Sequence, residues 1–253
     1  MQDEKLAFMK AARPVPEAHE GWVVRGQYGS GTVNGERVAG YLQENGVSPD
    51  SSIETFAAIK LLVDNERWRG TPFYIRCGKR LEKKTSEVAV CFKKPAHSMF
   101  SPSQPELMES NWLVFNLQPE EAFSLVLQAK RPGPKMCMAP VTMDFCYKQK
   151  FGGALPEAYE QLLLDAMNGD QTLFIRRDLM ETSWALFSPL VDRWRNADST
   201  ARPEIYPSGS WGPDAAMRLM EQDGRRWRLL AEMALEARCP YQCPGCKARQ
   251  PHS

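Results

Sequence analysis

The stretch NWLVFNLQPEEAFSLVLQAK, residues 111–130, holds two short apolar runs separated by Pro119-Glu120-Glu121. Runs of this length, bounded by turn residues, read as strands, NWLVFNLQ and AFSLVLQA. The same pattern extends in both directions. PFYIRC (72–77) and EVAVCFK (87–93) precede it, and MCMAPVTMDFCY (136–147), interrupted by Pro140, follows. Five or more strands in succession, with no helix between them, imply a mainly antiparallel sheet.

Beyond Gly153 the period changes. LPEAYEQLLLDAM places Pro156 at a helix start and repeats Leu162, Leu163 and Met167 at helical spacing. RRDLMETSWALFSPLVDRW continues as helix, interrupted or kinked at Pro189. ARPEIYPSGSWGP reads as a Pro/Ser/Gly linker leading to DAAMRLMEQDG and RRWRLLAEMALEAR. Strands followed by helices define an α+β class.

Toward the N-terminus, Gln2 to Ala12 reads as a short amphipathic helix with Leu6, Phe8 and Met9 apolar and Pro14 as its stop. In GWVVRGQYGSGTVNGERVAGY (21–41), Asn34-Gly35 signals a tight hairpin turn. Gly26, Gly29 and Gly31 are spaced G-x-x-G-x-G with no helix pattern after them, which suits bulges and turns better than a dinucleotide loop. SIETFAAIKLLVDNERW is ambiguous: it suits a helix face or a strand buried on both sides, and propensity slightly favours helix.

Composition narrows the function classes. The 253 residues carry 32 Lys plus Arg against 31 Asp plus Glu, so no global field favours nucleic acid, and an anion site must be local. The opening MQDEKLAFMKAARP lacks the apolar centre of a signal peptide, and no run is long enough to span a membrane. Seven cysteines without a secretory signal read as reduced thiols in a cytoplasm. The local basic run is FYIRCGKRLEKK (73–84), with Arg76, Lys79, Arg80, Lys83 and Lys84. Such a run either solvates a turn or grips a ligand.

VRGQYGSG, SIETFAAIKLLVDNERWRGTPFYIRCGKRL, LPEAYEQLLLDAMNGDQTLFIRRD and YPSGSWGP resemble, in that order, the C-terminal domain of glucose-6-phosphate dehydrogenase. The resemblance runs from about Asp3 to Arg228, giving a domain over 1–228 and an extra helical, cysteine-rich tail over 229–253. It implies a large, mostly antiparallel sheet with helices packed on one face and a homodimer made through the other. It also makes TFAAIKLLVDN a strand, against propensity. The implied substrate is glucose 6-phosphate, oxidised with NADP to 6-phosphogluconolactone in the pentose phosphate pathway.

Carried over by the same resemblance, Lys79, Lys84 and Gln118 are substrate contacts. A compact ammonium suits phosphate and sugar hydroxyls, and a glycine before it permits close approach. Arg80 and Lys83 keep the solvent reading, and Arg76 stays open between structure and ligand. Animal members hold a second, structural NADP on this domain; Thr85, Ala89, Asn116 and Val126 stand where basic residues are expected, with Asp144 retained, so no such NADP is expected here.

The family's glycine-rich coenzyme loop and its histidine base have no counterpart in these residues, so the chain alone is expected to lack turnover. Of the three histidines, His19 and His97 lie in loops and His252 in the tail; none matches the family's base. An alternative is a non-catalytic assembly module pairing with full-length enzyme. In CPYQCPGCKARQPH, Cys239, Cys243 and Cys246 with His252 have the donor types of a zinc site. An iron–sulfur cluster or an incidental, disordered tail remain the other readings.

Overall fold

The structure is a computed structural model that describes residues 2–16, 21–94, 109–130, 132, 138–152, 158–196 and 202–228. In chain order its elements are α1 (Gln2–Ala11), β1 (Val23–Gly29), β2 (Gly31–Val33), β3 (Glu36–Val38), β4 (Phe56–Leu62), β5 (Pro72–Gly78), β6 (Ser86–Cys91), β7 (Trp112–Gln118), β8 (Ala122–Lys130) and β9 (Met138–Cys146). Then come α2 (Tyr147–Phe151), α3 (Ala158–Asn168), α4 (Arg177–Asn196), β10 (Glu204–Pro207) and α5 (Asp214–Glu221). The class is α+β and the pairing is mostly antiparallel. Among the described residues the strands form two four-stranded sheets and one hairpin.

Two compact units result. One runs to Lys83 and resumes in α3 to α5 through Trp227; the other begins at Lys84, holds β6 to β9, and includes Arg228.

In the first unit the sheet order is β10-β1-β4-β5. β4 is the strand that propensity would have made helical. Its alternation explains the outcome: Phe56 and Ala58 pack with Tyr28, Tyr206 and Ala216, whereas Leu61 packs with Val15, Val23 and Leu190. Residues of both parities are thus buried, against α5 on one side and α4 on the other. A strand covered on both faces reads as a continuous apolar run, and that burial overrides the helix preference of its alanines and leucines.

The segment 202–213 contains the other departure from the sequence reading. What read as linker holds β10, which pairs in parallel with β1, Tyr206 opposite Tyr28. Pro203 and Pro207 hid it, because proline argues against a central strand; β10 lies at the sheet's edge, where proline is tolerated. The Asn34-Gly35 turn joins β2 to β3, with φ of 52° and 85° at its two central residues, the left-handed pair a two-residue hairpin needs. α1 lays Phe8 edge-on against Phe73 at 5.6 Å, and Asp3 receives Arg176 at 2.8 Å. α4 runs as one helix through Pro189; Leu190, Phe187 and Trp194 pack in the second core cluster, and that burial offsets the bond proline cannot make.

In the second unit β6, β7, β8 and β9 pair in sequence order as an antiparallel meander. Val88, Phe115, Phe123 and Phe145 stand in one row across the four strands, so they share a face. Phe123 and Phe145 stack at 5.0 Å. Ala89, Val114, Ser124 and Asp144 form the corresponding row of the other face. β9 accommodates Pro140 because it is an edge strand.

Candidate functional site

The basic run begins inside β5 and turns at its end. Gly78 pairs with Phe56, and a Cβ on Gly78 would stand 2.7 Å from Phe56 Cδ2. Glycine is therefore required there by close approach to the core. Lys79 follows with both backbone polar groups tied down. Its N–H donates to the Thr55 carbonyl (2.9 Å), and its carbonyl accepts from the Tyr206 hydroxyl (2.7 Å). Thr55 is itself fixed, its N–H donating to the Gly26 carbonyl (2.8 Å) and its Oγ1 accepting from the Tyr28 N–H (2.9 Å). The Lys79 side chain is exposed on a backbone bonded at both of its polar groups.

Arg80 takes a left-handed φ of 53°, which bends the chain away from the strand direction. Its carbonyl accepts from the Gly209 N–H (2.8 Å), and the Glu82 N–H donates to the Ser210 carbonyl (3.0 Å). The loop after β10 thus braces the turn after β5. Arg80 is more than a solvated charge, because its guanidinium donates to Glu44 (3.2 Å) and lies over the Tyr28 ring. Arg76 is held between two indoles, 4.8 Å from the Trp211 ring centre and 4.7 Å from that of Trp227. Cation–π packing of this kind gives Arg76 a structural role.

Near the same strands, the Asp223 carboxylate accepts from Lys60 (2.6 Å) and from the Tyr74 hydroxyl. Burial raises the Asp223 carboxyl, but the bonds from Lys60 and Tyr74 prevail and hold it below its ordinary value. Burial, with the bond to Asp223, pushes the Tyr74 hydroxyl up to about 12.

Lys84 and Gln118 belong to the second unit. Lys84 immediately precedes Thr85, whose hydroxyl donates to the Gln118 carbonyl (3.1 Å), and Ser86 pairs with Gln118. Both predicted contacts therefore sit at one end of the β6–β7 ladder, with exposed side chains. Lys79 is a member of the first unit.

Ala89, Asn116, Val126 and Asp144 lie on one face of the second sheet, and Thr85 precedes it. None of these five residues is a cation. Among the described residues no helix is long and apolar enough to cross a membrane, and no cluster of His, Cys, Asp or Glu could hold a metal ion. His19, His97, His252, Cys239, Cys243 and Cys246 lie outside the described residues.

Sequence reasoning missed the bracing by Tyr206, Thr55 and the 208–210 loop. EIYP, an aromatic beside a β-branched residue, was the available signal, but the flanking prolines outweighed it.

Comparison with known proteins agrees with this arrangement. Residues 1–228 match the family described as "Glucose-6-phosphate dehydrogenase, C-terminal domain". The chain is 42% identical over 233 residues to glucose-6-phosphate 1-dehydrogenase of Chlamydia muridarum, covering 90% of this chain and 44% of that protein. It is 42% identical over 228 residues to the Mycolicibacterium smegmatis enzyme of the same name, covering 90% and 45%. A solved glucose-6-phosphate dehydrogenase "in complex with its substrate glucose-6-phosphate" superposes with a TM-score of 0.77 at 34% identity, over 90% of this chain and 45% of that one. The Mycobacterium avium enzyme superposes with a TM-score of 0.70 at 31% identity, over 90% and 44%. The chain thus spans a little under half the length of these relatives. With the fold, the matched residues and these likenesses in agreement, the chain belongs to the glucose-6-phosphate dehydrogenase C-terminal domain family.

Proposed function

We propose that the chain is the sugar-phosphate-binding and dimerising part of an NADP-dependent glucose-6-phosphate dehydrogenase, acting in the oxidation of glucose 6-phosphate to 6-phosphogluconolactone in the cytoplasmic pentose phosphate pathway. The observation that carries the binding role is the Gly78-Lys79-Arg80 turn, an exposed lysine on a backbone fixed at both N–H and carbonyl. A backbone so held removes its own share of the ordering cost, leaving only the flexible lysine stem to be fixed on binding. One charge pair at about 4 Å in an effective dielectric of ~20 is worth on the order of 4 kcal/mol before desolvation, and exposure of Lys79 reduces that further. Lys84 and Gln118 are proposed as further contacts, on the strength of the family resemblance.

In this account NADP accepts the hydride when bound. The residues here bind and orient the sugar phosphate; none of the three proposed contacts supplies the base that takes the C1 hydroxyl proton. The test titrates the purified 253-residue chain with glucose 6-phosphate and assays it with NADP. Saturable binding without NADPH formation is expected. Robust NADPH formation overturns the inactivity of the chain alone, and absence of binding overturns the substrate role.

A dimerising role is supported by the second sheet. Val88, Phe115, Leu117, Val141 and Met143 are exposed, and they fall on the face that also carries Phe123 and Phe145. A continuous apolar patch of this kind marks an interaction surface. The same face favours a second reading, a non-catalytic assembly module that pairs with full-length enzyme. Light scattering separates them: homodimers of the chain support the first, while mixed dimers with reduced turnover support the second.

A further inference from the structure

We propose that Tyr206 is a positioning residue for Lys79, its hydroxyl holding the Lys79 carbonyl so that the ammonium meets a sugar phosphate already placed. The proposal rests on the reading of Lys79 as a sugar-phosphate contact.

Tyr206 is fully buried, with no exposed surface, and its ring packs edge-on against Phe56 at 5.5 Å. Packing alone would be satisfied by phenylalanine. The hydroxyl instead reaches past the core to the Lys79 carbonyl at 2.7 Å and lies 3.3 Å from Thr55 Oγ1. Thr55 in turn takes the Lys79 N–H on its own carbonyl at 2.9 Å. The hydroxyl therefore joins Thr55 and Tyr206, the two residues that hold Lys79, one at its N–H and the other at its carbonyl.

The next residue shows why a clamp is useful. Arg80 is left-handed, a conformation uncommon for a side chain with a Cβ, so the turn needs bonds that select it. The bond from Tyr206 acts immediately before that residue, and the bond from Gly209 immediately after it. Burial pushes the Tyr206 hydroxyl up, so it remains a proton donor throughout the neutral range. Buried donors of this kind are expensive unless they bond, and here the partner is the backbone of the binding residue.

Four versions of the full 253-residue chain test this: the parent, Lys79→Ala, Tyr206→Phe, and the double variant, each titrated with glucose 6-phosphate. The bond exists with and without ligand, so its own worth appears as stability; Tyr206→Phe should weaken binding only by the cost of re-ordering the freed Lys79 backbone, about fivefold to tenfold. Because Tyr206 acts through Lys79, the double variant should bind no more weakly than Lys79→Ala alone. Thr55→Val, which removes Oγ1 from the Tyr206 hydroxyl and from the Tyr28 N–H, should move affinity in the same direction, and Thr55→Ser, which keeps both contacts, should restore it. Lower thermal stability is expected of Tyr206→Phe under either role; a merely structural tyrosine would add its affinity loss in full to that of Lys79→Ala, and that result overturns the proposal. Parent-like affinity in Tyr206→Phe, with Lys79→Ala weakened, overturns it while leaving the Lys79 reading intact. Parent-like affinity in Lys79→Ala removes the Lys79 reading and the proposal together.

Discussion

Replacing Gly78 by alanine puts a methyl carbon 2.7 Å from Phe56 Cδ2 and 3.2 Å from Leu81 Cδ2. The Phe56 ring has nowhere to retreat. It is 2% exposed, Tyr206 packs against it at 5.5 Å, and a Cβ on Gly212 would strike the same ring. Overpacking at such a site costs about 1–3 kcal/mol. For a chain of this size each kcal/mol lowers Tm by about 2–4 °C, so Gly78→Ala should melt roughly 2–12 °C below the parent. The turn is displaced at the same time, so sugar-phosphate affinity should fall with stability. Calorimetry or tryptophan fluorescence reads the first effect, and titration reads the second. Melting within 1 °C of the parent would refute the claim that Gly78 is set by its approach to Phe56.

Leu190, 2% exposed between Val23 and Leu61, should lose about 2–5 kcal/mol on replacement by alanine, read as a lower urea midpoint; a loss below about 1 kcal/mol would mean α4 does not cover that face. Asp223 makes a pH-dependent contribution of known sign. Its folded-state carboxyl titrates below the unfolded value, so its stabilisation is complete above about pH 4 and disappears as pH falls through the folded value. Asp223→Asn should therefore cost about 1–3 kcal/mol at neutral pH, with the difference from the parent closing in acid; a difference independent of pH would contradict this. Phe115→Lys places a charge in the apolar row of the second sheet and should shift the chain to monomer in light scattering, whereas an unchanged mass would remove that face from the interface.

Local chemistry made most strands legible. PFYIRC, EVAVCFK, NWLVFNLQ and AFSLVLQA each match an observed strand to within a residue or two at its ends, and Asn34-Gly35 is the hairpin turn it signalled. What failed did so for long-range reasons. TFAAIKLL is a strand because α4 and α5 bury both of its faces, and neither helix is near it in sequence. EIYP is a strand because β1 offers it an edge, which its flanking prolines concealed. The candidate site divides in the same way. Lys79, Lys84 and Gln118 were named from resemblance, but the support for Lys79 comes from Tyr206, 127 positions away, and from the 208–210 loop. No pattern within the basic run could announce those partners. Arg80 shows the converse, because Glu44 and Tyr28 engage a charge that local reading left to solvent.

The most direct measurement is a crystal structure of the chain grown with glucose 6-phosphate. The sugar phosphate is expected at the Gly78-Lys79-Arg80 turn, with Lys79 Nζ within about 3.2 Å of a ligand oxygen and the Tyr206 bond intact. Ligand bound elsewhere, or a Lys79 ammonium turned to solvent beside an ordered sugar phosphate, would contradict it.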